Sequence, residues 1–138
     1  MKEITIIVPN KIGALADVAE ALGNNGVNIE SIAAQGFRDA GVIRIITSDE
    51  TSAMHALMKI AAVKEGEYEI KMGDVMMITI PNRPGELGKI ARKIARAGIN
   101  LESVYQLKSD HEVQMVVKPE KLDEAAAALK KNGVRVKL

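Results

Sequence analysis

The chain has 138 residues, enough for one ordinary domain or two very small ones, with 47% hydrophobic and 27% charged residues. Nineteen basic and eighteen acidic side chains leave a net charge of +1, and three aromatic residues leave little to stack bases on, so the composition argues against a nucleic-acid partner. The lack of cysteine excludes disulfides, thiolate metal sites and Cys nucleophiles, and the opening Ile/Val run is too short for a signal core or membrane span, which makes the cytoplasm the expected compartment.

In chain order, residues 4–8 read as a β-branched strand that Pro9 ends, because proline cannot donate to a ladder. A helix is predicted over residues 12–25, with Leu15, Val18, Ala19 and Leu22 at helical spacing and Asn25-Gly26 as its stop. Strands follow at 27–35 and 42–47, joined by a turn over 37–41. Ser48-Asp49 supplies an N-cap for a second helix whose stripe is Met54, Leu57, Met58 and Ala61, and residues 67–72 form a fourth strand. The order is β-α-β-β-α-β, the split βαβ arrangement.

The same order then repeats. Strands are predicted at 75–80, 99–107, 112–117 and 134–138, with helices over 84–97 and after Pro119. The second hairpin reads as about one residue shorter, since Asp110 lies 71 positions after Asp39. The repeat itself has an offset of 72: nine of the 24 positions from Pro9 to Ile32 are identical in the second copy, which chance does not produce. Two domains are therefore expected, residues 1–72 and 73–138, each α+β, lying side by side as antiparallel sheets with helices on one face. Both faces of the strands at 4–8 and 75–80 carry apolar residues, which points to a covered second face and self-association as a homodimer or higher homo-oligomer.

The duplicated loop between the first strand and first helix carries the chemistry. It reads Asn10-Lys11-Ile12-Gly13-Ala14-Leu15 in one copy and Asn82-Arg83-Pro84-Gly85-Glu86-Leu87 in the other. A helix start offers unpaired N–H groups and partial positive charge, a ready place for a carboxylate. Gly13 and Gly85 let a ligand approach the backbone, and Pro84 suits a first helical position. Asn10, Asn28, Asn82 and Asn100 carry amides that both donate and accept, as an amino acid's carboxylate and ammonium require. Asn10 and Asn82 could equally cap the helices, and Asn28 and Asn100 could be turn residues. Glu86 favours the helix dipole but would repel a ligand carboxylate, so it should point outward.

With Gly98-Ile99-Asn100-Leu101 after the helix, this repeat resembles the ACT domain family, regulatory modules of amino-acid metabolism. The resemblance covers essentially the whole chain, twice. The second copy's loop is similar to the serine-sensing domain of D-3-phosphoglycerate dehydrogenases, with Ile12 the departure in the first copy. It implies an amino-acid effector held between paired domains by Asn10, Asn28, Asn82 and Asn100. Backbone groups of Ile12, Gly13, Ala14 and Leu15, and of Pro84, Gly85, Glu86 and Leu87, would complete the wall. The implied role is a free-standing sensor of amino-acid metabolism. The other role is a non-catalytic regulatory subunit of a separate metabolic enzyme, of the same general kind as the small subunit of acetolactate synthase.

No catalytic residue, metal ligand or cofactor is assigned. His55 and His111 lack ligand-spaced neighbours, Ser31 and Ser103 have no nearby histidine, and no phosphate-binding glycine motif or nucleophile elbow is present.

Overall fold

β1 (Lys2–Pro9) sets the inside and outside of the first sheet by simple alternation: Ile4, Ile6 and Val8 enter the core, and Glu3, Thr5 and Ile7 take the other face. After it come α1 (Ala14–Asn24), β2 (Ile29–Phe37), β3 (Ala40–Thr47), α2 (Glu50–Met58), α3 (Ala61–Lys64) and β4 (Glu69–Asp74). The second set is β5 (Met76–Pro81), α4 (Glu86–Arg96), β6 (Leu101–Ser109), β7 (Glu112–Pro119), α5 (Leu122–Lys131) and β8 (Arg135–Lys137). This computed structural model describes residues 1–138, which divide into a first domain, Lys2–Gly73, and a second, Asp74–Leu138, with which Met1 groups.

Each domain has one four-stranded sheet, ordered β2-β3-β1-β4 in the first and β6-β7-β5-β8 in the second. β1 and β2 both run antiparallel to β3, so they are parallel to each other. This is the α+β, ferredoxin-like arrangement expected from the sequence. The first core joins Ile4, Ile6 and Val8 to Ile43 and Ile45 of β3, to Val18 and Leu22 of α1, and to Ala53, Ala56 and Leu57 of α2. The second joins Met76, Ile78 and Ile80 to Ile90 and Ile94 of α4 and to Ala125, Ala126 and Leu129 of α5. Burying a side chain such as Leu22 or Ile94 contributes about 1.5–3 kcal/mol. On the face away from the helices of the first domain, Glu3, Thr5 and Ile46 are buried, and Arg44 donates to Glu3 at 3.1 Å and to Thr5 at 3.4 Å.

Several local expectations are revised. The helices begin at Ala14 and Glu86, two residues later than predicted, because Gly13 and Gly85 adopt left-handed backbone (φ 93° and 84°) and occupy the N-cap. Pro84 consequently lies outside the helix, one residue before the cap. The second hairpin is not shorter: β2 and β6 begin 72 residues apart, at Ile29 and Leu101, and so do β3 and β7, at Ala40 and Glu112. What differs is a bulge between Gln106 and Lys108. The predicted second helix stops at Met58, because Ile60 takes an extended conformation (ψ 128°) before α3. The copies part company here, since β4 and β8 begin only 66 residues apart, at Glu69 and Arg135, and α3 belongs to the first domain alone. The Asp49 cap is present and accepts from the Thr51 and Ser52 amides. The Ser52 hydroxyl also bonds it, which holds the Asp49 carboxyl below its ordinary value of 3.8.

Candidate functional site

Asn10 does not cap α1. Its backbone N–H donates to Asp39 O at 2.8 Å, and its side-chain Nδ2 donates to Arg38 O at 2.9 Å. Asn82 repeats both bonds in the second domain, to His111 O at 3.2 Å and to Asp110 O at 2.9 Å. Each amide thus ties the loop after the first strand to the tip of the hairpin. The side-chain Oδ1 remains an acceptor. Neither α1 nor α4 has a side-chain cap, but the Glu86 N–H donates to Arg83 O at 3.4 Å, so it is the Gly-capped first turn of α1 that keeps its dipole end free of a competing oxygen.

A cleft of about 170 Å³ opens beside this loop in the first domain. Val8 and Pro9 of β1, Asn10 and Lys11 of the loop, and Ala14 and Leu15 of α1 form one side. Ala34, Gln35 and Gly36 of β2 and Gly41, Val42 and Ile43 of β3 form the other. Two glycines shape it. Gly36 and Gly41 face each other across the hairpin. A Cβ on Gly36 would come within 2.8 Å of Asn10 Oδ1, and one on Gly41 within 3.0 Å of Val8 Cγ2. Their bare backbone gives the Asn10 amide and Val8 their places.

Lys11 brings a cation to the cleft but does not leave it uncompensated. Its ammonium pairs with Glu67, whose hydrogen bond raises the Lys11 pKa, and it lies 5.5 Å from the centroid of the Tyr68 ring. Tyr68 is buried, and its hydroxyl donates to Asp17 at 2.8 Å. Burial first, and then the Asp17 bond, push the Tyr68 pKa above 10.0. Lys11 and Asp17 are thus braced from behind by the segment that follows α3.

Of the residues predicted from sequence, Asn10, Ala14 and Leu15 line the cleft. Gly13 is the N-cap, and Ile12 projects fully into solvent. Asn28 lies at the far end of the sheet, where its N–H donates to Ser48 Oγ at 3.1 Å. Pro9 pairs with Ala40 at one end of β3 and Ile29 with Thr47 at the other, so Asn10 and Asn28 are separated by the length of β2. Nine residues at about 3.3 Å each make that nearly 30 Å. Asn100 has the same placement, bonded through Nδ2 to Glu120 at 3.3 Å. The loop and strand asparagines of one domain therefore cannot share a ligand.

In the second domain Leu87 is partly exposed and Pro84 and Gly85 form the turn before α4. Glu86 does not project into solvent. Its largely covered carboxylate accepts from Arg83 at 3.0 Å and from Lys89 at 3.3 Å. Burial pushes its pKa up, but the bonds and charges of Lys89 and Arg83 outweigh this and hold it below 4.5.

Sequence reasoning missed Ala34, Gly36 and Gly41, the wall opposite the loop. The signal was present as two glycines around the predicted turn, where the pairing of the second copy places Ser109 and Val113. No group of three or more His, Asp and Glu residues is placed to hold a metal ion, and no helix is long and apolar enough to cross a membrane.

The arrangement suits a zwitterion: an amide oxygen for an ammonium, a helix start for a carboxylate, and apolar side chains between. The sequence profile of the ACT domain matches residues 2–65 and again 75–134. The chain belongs to the ACT domain family. No curated protein matches it in sequence. Among solved structures, protein BT0572 from Bacteroides thetaiotaomicron is similar at 28% identity with a TM-score of 0.83, over 99% of this chain and 90% of that one. The ligand-free regulatory subunit of aspartate kinase from Thermus thermophilus shares the fold at 19% identity and a TM-score of 0.68, over 94% of this chain and 91% of that one. Aspartate kinase from Clostridium acetobutylicum matches with a TM-score of 0.61 and 15% identity, over 94% of this ACT chain but 32% of the kinase.

Proposed function

We propose that this tandem ACT protein is a non-catalytic sensor that binds a small amino acid and passes the binding on as a change in domain or subunit pairing. The observation that carries the reading is the first-domain cleft, where the Asn10 amide, the uncapped start of α1 and an apolar floor meet. The ammonium would take Asn10 Oδ1, and the carboxylate the first-turn amides of α1. Asn82, Gly85, Glu86 and Leu87 stand in the corresponding places of the second domain. Asn28 and Asn100 lie nearly 30 Å from their own domain's loop, so their part in binding requires a different domain, which fits ligand capture at a pairing surface and assembly into homo-oligomers. A ligand shifts such pairing only by its differential affinity for the two states.

The test is thermal unfolding of the ligand-stripped protein against the twenty amino acids. At 100 times its dissociation constant, a ligand stabilises by about 2.7 kcal/mol. That raises the midpoint by roughly 5–11 °C at about 2–4 °C per kcal/mol. One selective riser supports the reading, and a flat panel refutes it.

A second reading rests on the two-domain architecture shared with the Thermus aspartate kinase regulatory subunit. A tandem ACT chain of this fold can serve as the regulatory subunit of a separate metabolic enzyme. Stoichiometric co-purification of an enzyme from native cells supports that role, and recovery of the chain alone counts against it.

A further inference from the structure

The duplication provides an internal comparison. The backbone bonds of Asn10 and Asn82 are the same, but the positions around them are not. Gly36 pairs with Gly41 in the first hairpin, whereas Ser109 pairs with Val113 in the second. Val8 is the partner of Gly41, and Ile80 the partner of Val113, so these are equivalent places in the two sheets. Ala34, opposite Ile43, corresponds to Gln106, opposite Met115. Ala14, at the start of α1, corresponds to Glu86, whose carboxylate is clamped by Arg83 and Lys89. Every one of these replacements adds atoms, and one adds a charge. A Cβ on Gly36 or Gly41 would already meet Asn10 or Val8 within 3.0 Å.

We infer that the chain takes one ligand, in the first domain, and that this ligand is an α-amino acid with an uncharged aliphatic side chain. The inference rests on the amino-acid reading above and names its ligand class and site. A cavity of about 150 Å³ with apolar walls accommodates benzene. The cleft, at about 170 Å³ and open on one side, suits a molecule of similar or slightly larger size, such as valine or leucine. Val8, Ala34 and Ile43, which share the helix-facing side of the sheet, offer the side chain only carbon. No carboxylate lines the cleft, so a lysine or arginine side chain would be desolvated without a partner. The one cation, Lys11, is already paired with Glu67, so an acidic side chain finds a charge that is spent.

Isothermal titration of the full chain, stripped of ligand by unfolding and refolding, tests this with valine, leucine, isoleucine, serine, lysine and aspartate. The expected result is an aliphatic preference of at least tenfold and one ligand per chain. Ala34→Gln, which installs the second domain's residue at an exposed strand position, should weaken binding at least tenfold with an unchanged circular dichroism melt. Gln106→Ala in the second domain should leave affinity unchanged. Two ligands per chain, a charged or serine preference, or native affinity in Ala34→Gln overturns the inference and leaves amino-acid sensing standing. Binding of none of these six overturns the inference, and a flat thermal-unfolding panel over all twenty amino acids removes amino-acid sensing with it. The stoichiometry is read on the native chain, so the test holds even if a variant misfolds.

Discussion

Gly36→Ala sets two effects of similar size against each other. The new Cβ falls 2.8 Å from Asn10 Oδ1 and 3.0 Å from Nδ2, closer than such atoms approach. The Asn10 side chain must swing away and give up its 2.9 Å bond to Arg38 O. Losing a hydrogen bond of this kind costs about 0.5–1.5 kcal/mol. Gly36 has no positive φ, so alanine adopts its backbone without strain and narrows the unfolded ensemble, a gain of about 0.4–1 kcal/mol. The net effect on stability is within about 1 kcal/mol of zero. Affinity has no such offset. If Asn10 Oδ1 receives the ligand ammonium, the bond is charge-assisted and worth about 1.5–3 kcal/mol, a loss of roughly 10- to 150-fold in Kd. Urea titration gives the first quantity and isothermal titration the second. The Asn10 side-chain NH₂ resonances report the displacement with no ligand at all. Unmoved resonances, or a Kd within twofold of native, refute the argument, as does destabilisation beyond about 3 kcal/mol, the upper range for a single point change of ordinary kind.

Leu22→Ala removes a fully buried side chain from the first core and should cost about 2–5 kcal/mol in urea unfolding, confined to the first domain's transition. Tyr68 gives a pH signature. Its folded pKa is raised above 10.0, so the stability that its protonated form supports is complete below pH 10 and is lost as pH rises through the folded value. Tyr68→Phe should flatten the alkaline fall in stability, and a slope identical to native would show that another group causes it.

The periodicity of apolar residues made the element order and both cores legible, because the buried stripe of each helix is a local property. Val18 and Leu22, Ile90 and Ile94, and Ala125 with Leu129 are buried as their spacing implies. Leu15 belonged to the same predicted stripe but is about half exposed, since it faces the β2 edge where no helix covers the sheet. Met58, the last residue of α2, is similarly exposed, and Ile60 breaks the helix just after it without any proline or glycine to announce it. One wall of the cleft was legible as a loop motif. The other depends on register: Gly36 meets Asn10 only because β2 pairs with β3 and β3 with β1, a long-range fact that no local pattern encodes. The opposite placement of Asn10 and Asn28 follows from the same topology.

The paired asparagine bonds have a consequence for how such a protein diverges. Asn10 reaches a carbonyl 28 residues on, and Asn82 reaches one at the same separation. The side chains around the two amides have drifted apart, yet the strut between loop and hairpin is the same in both halves. Duplication here copied a chassis, and the strut belongs to the chassis. A copy that keeps it stays foldable while its neighbouring surface is free to take up a different occupation.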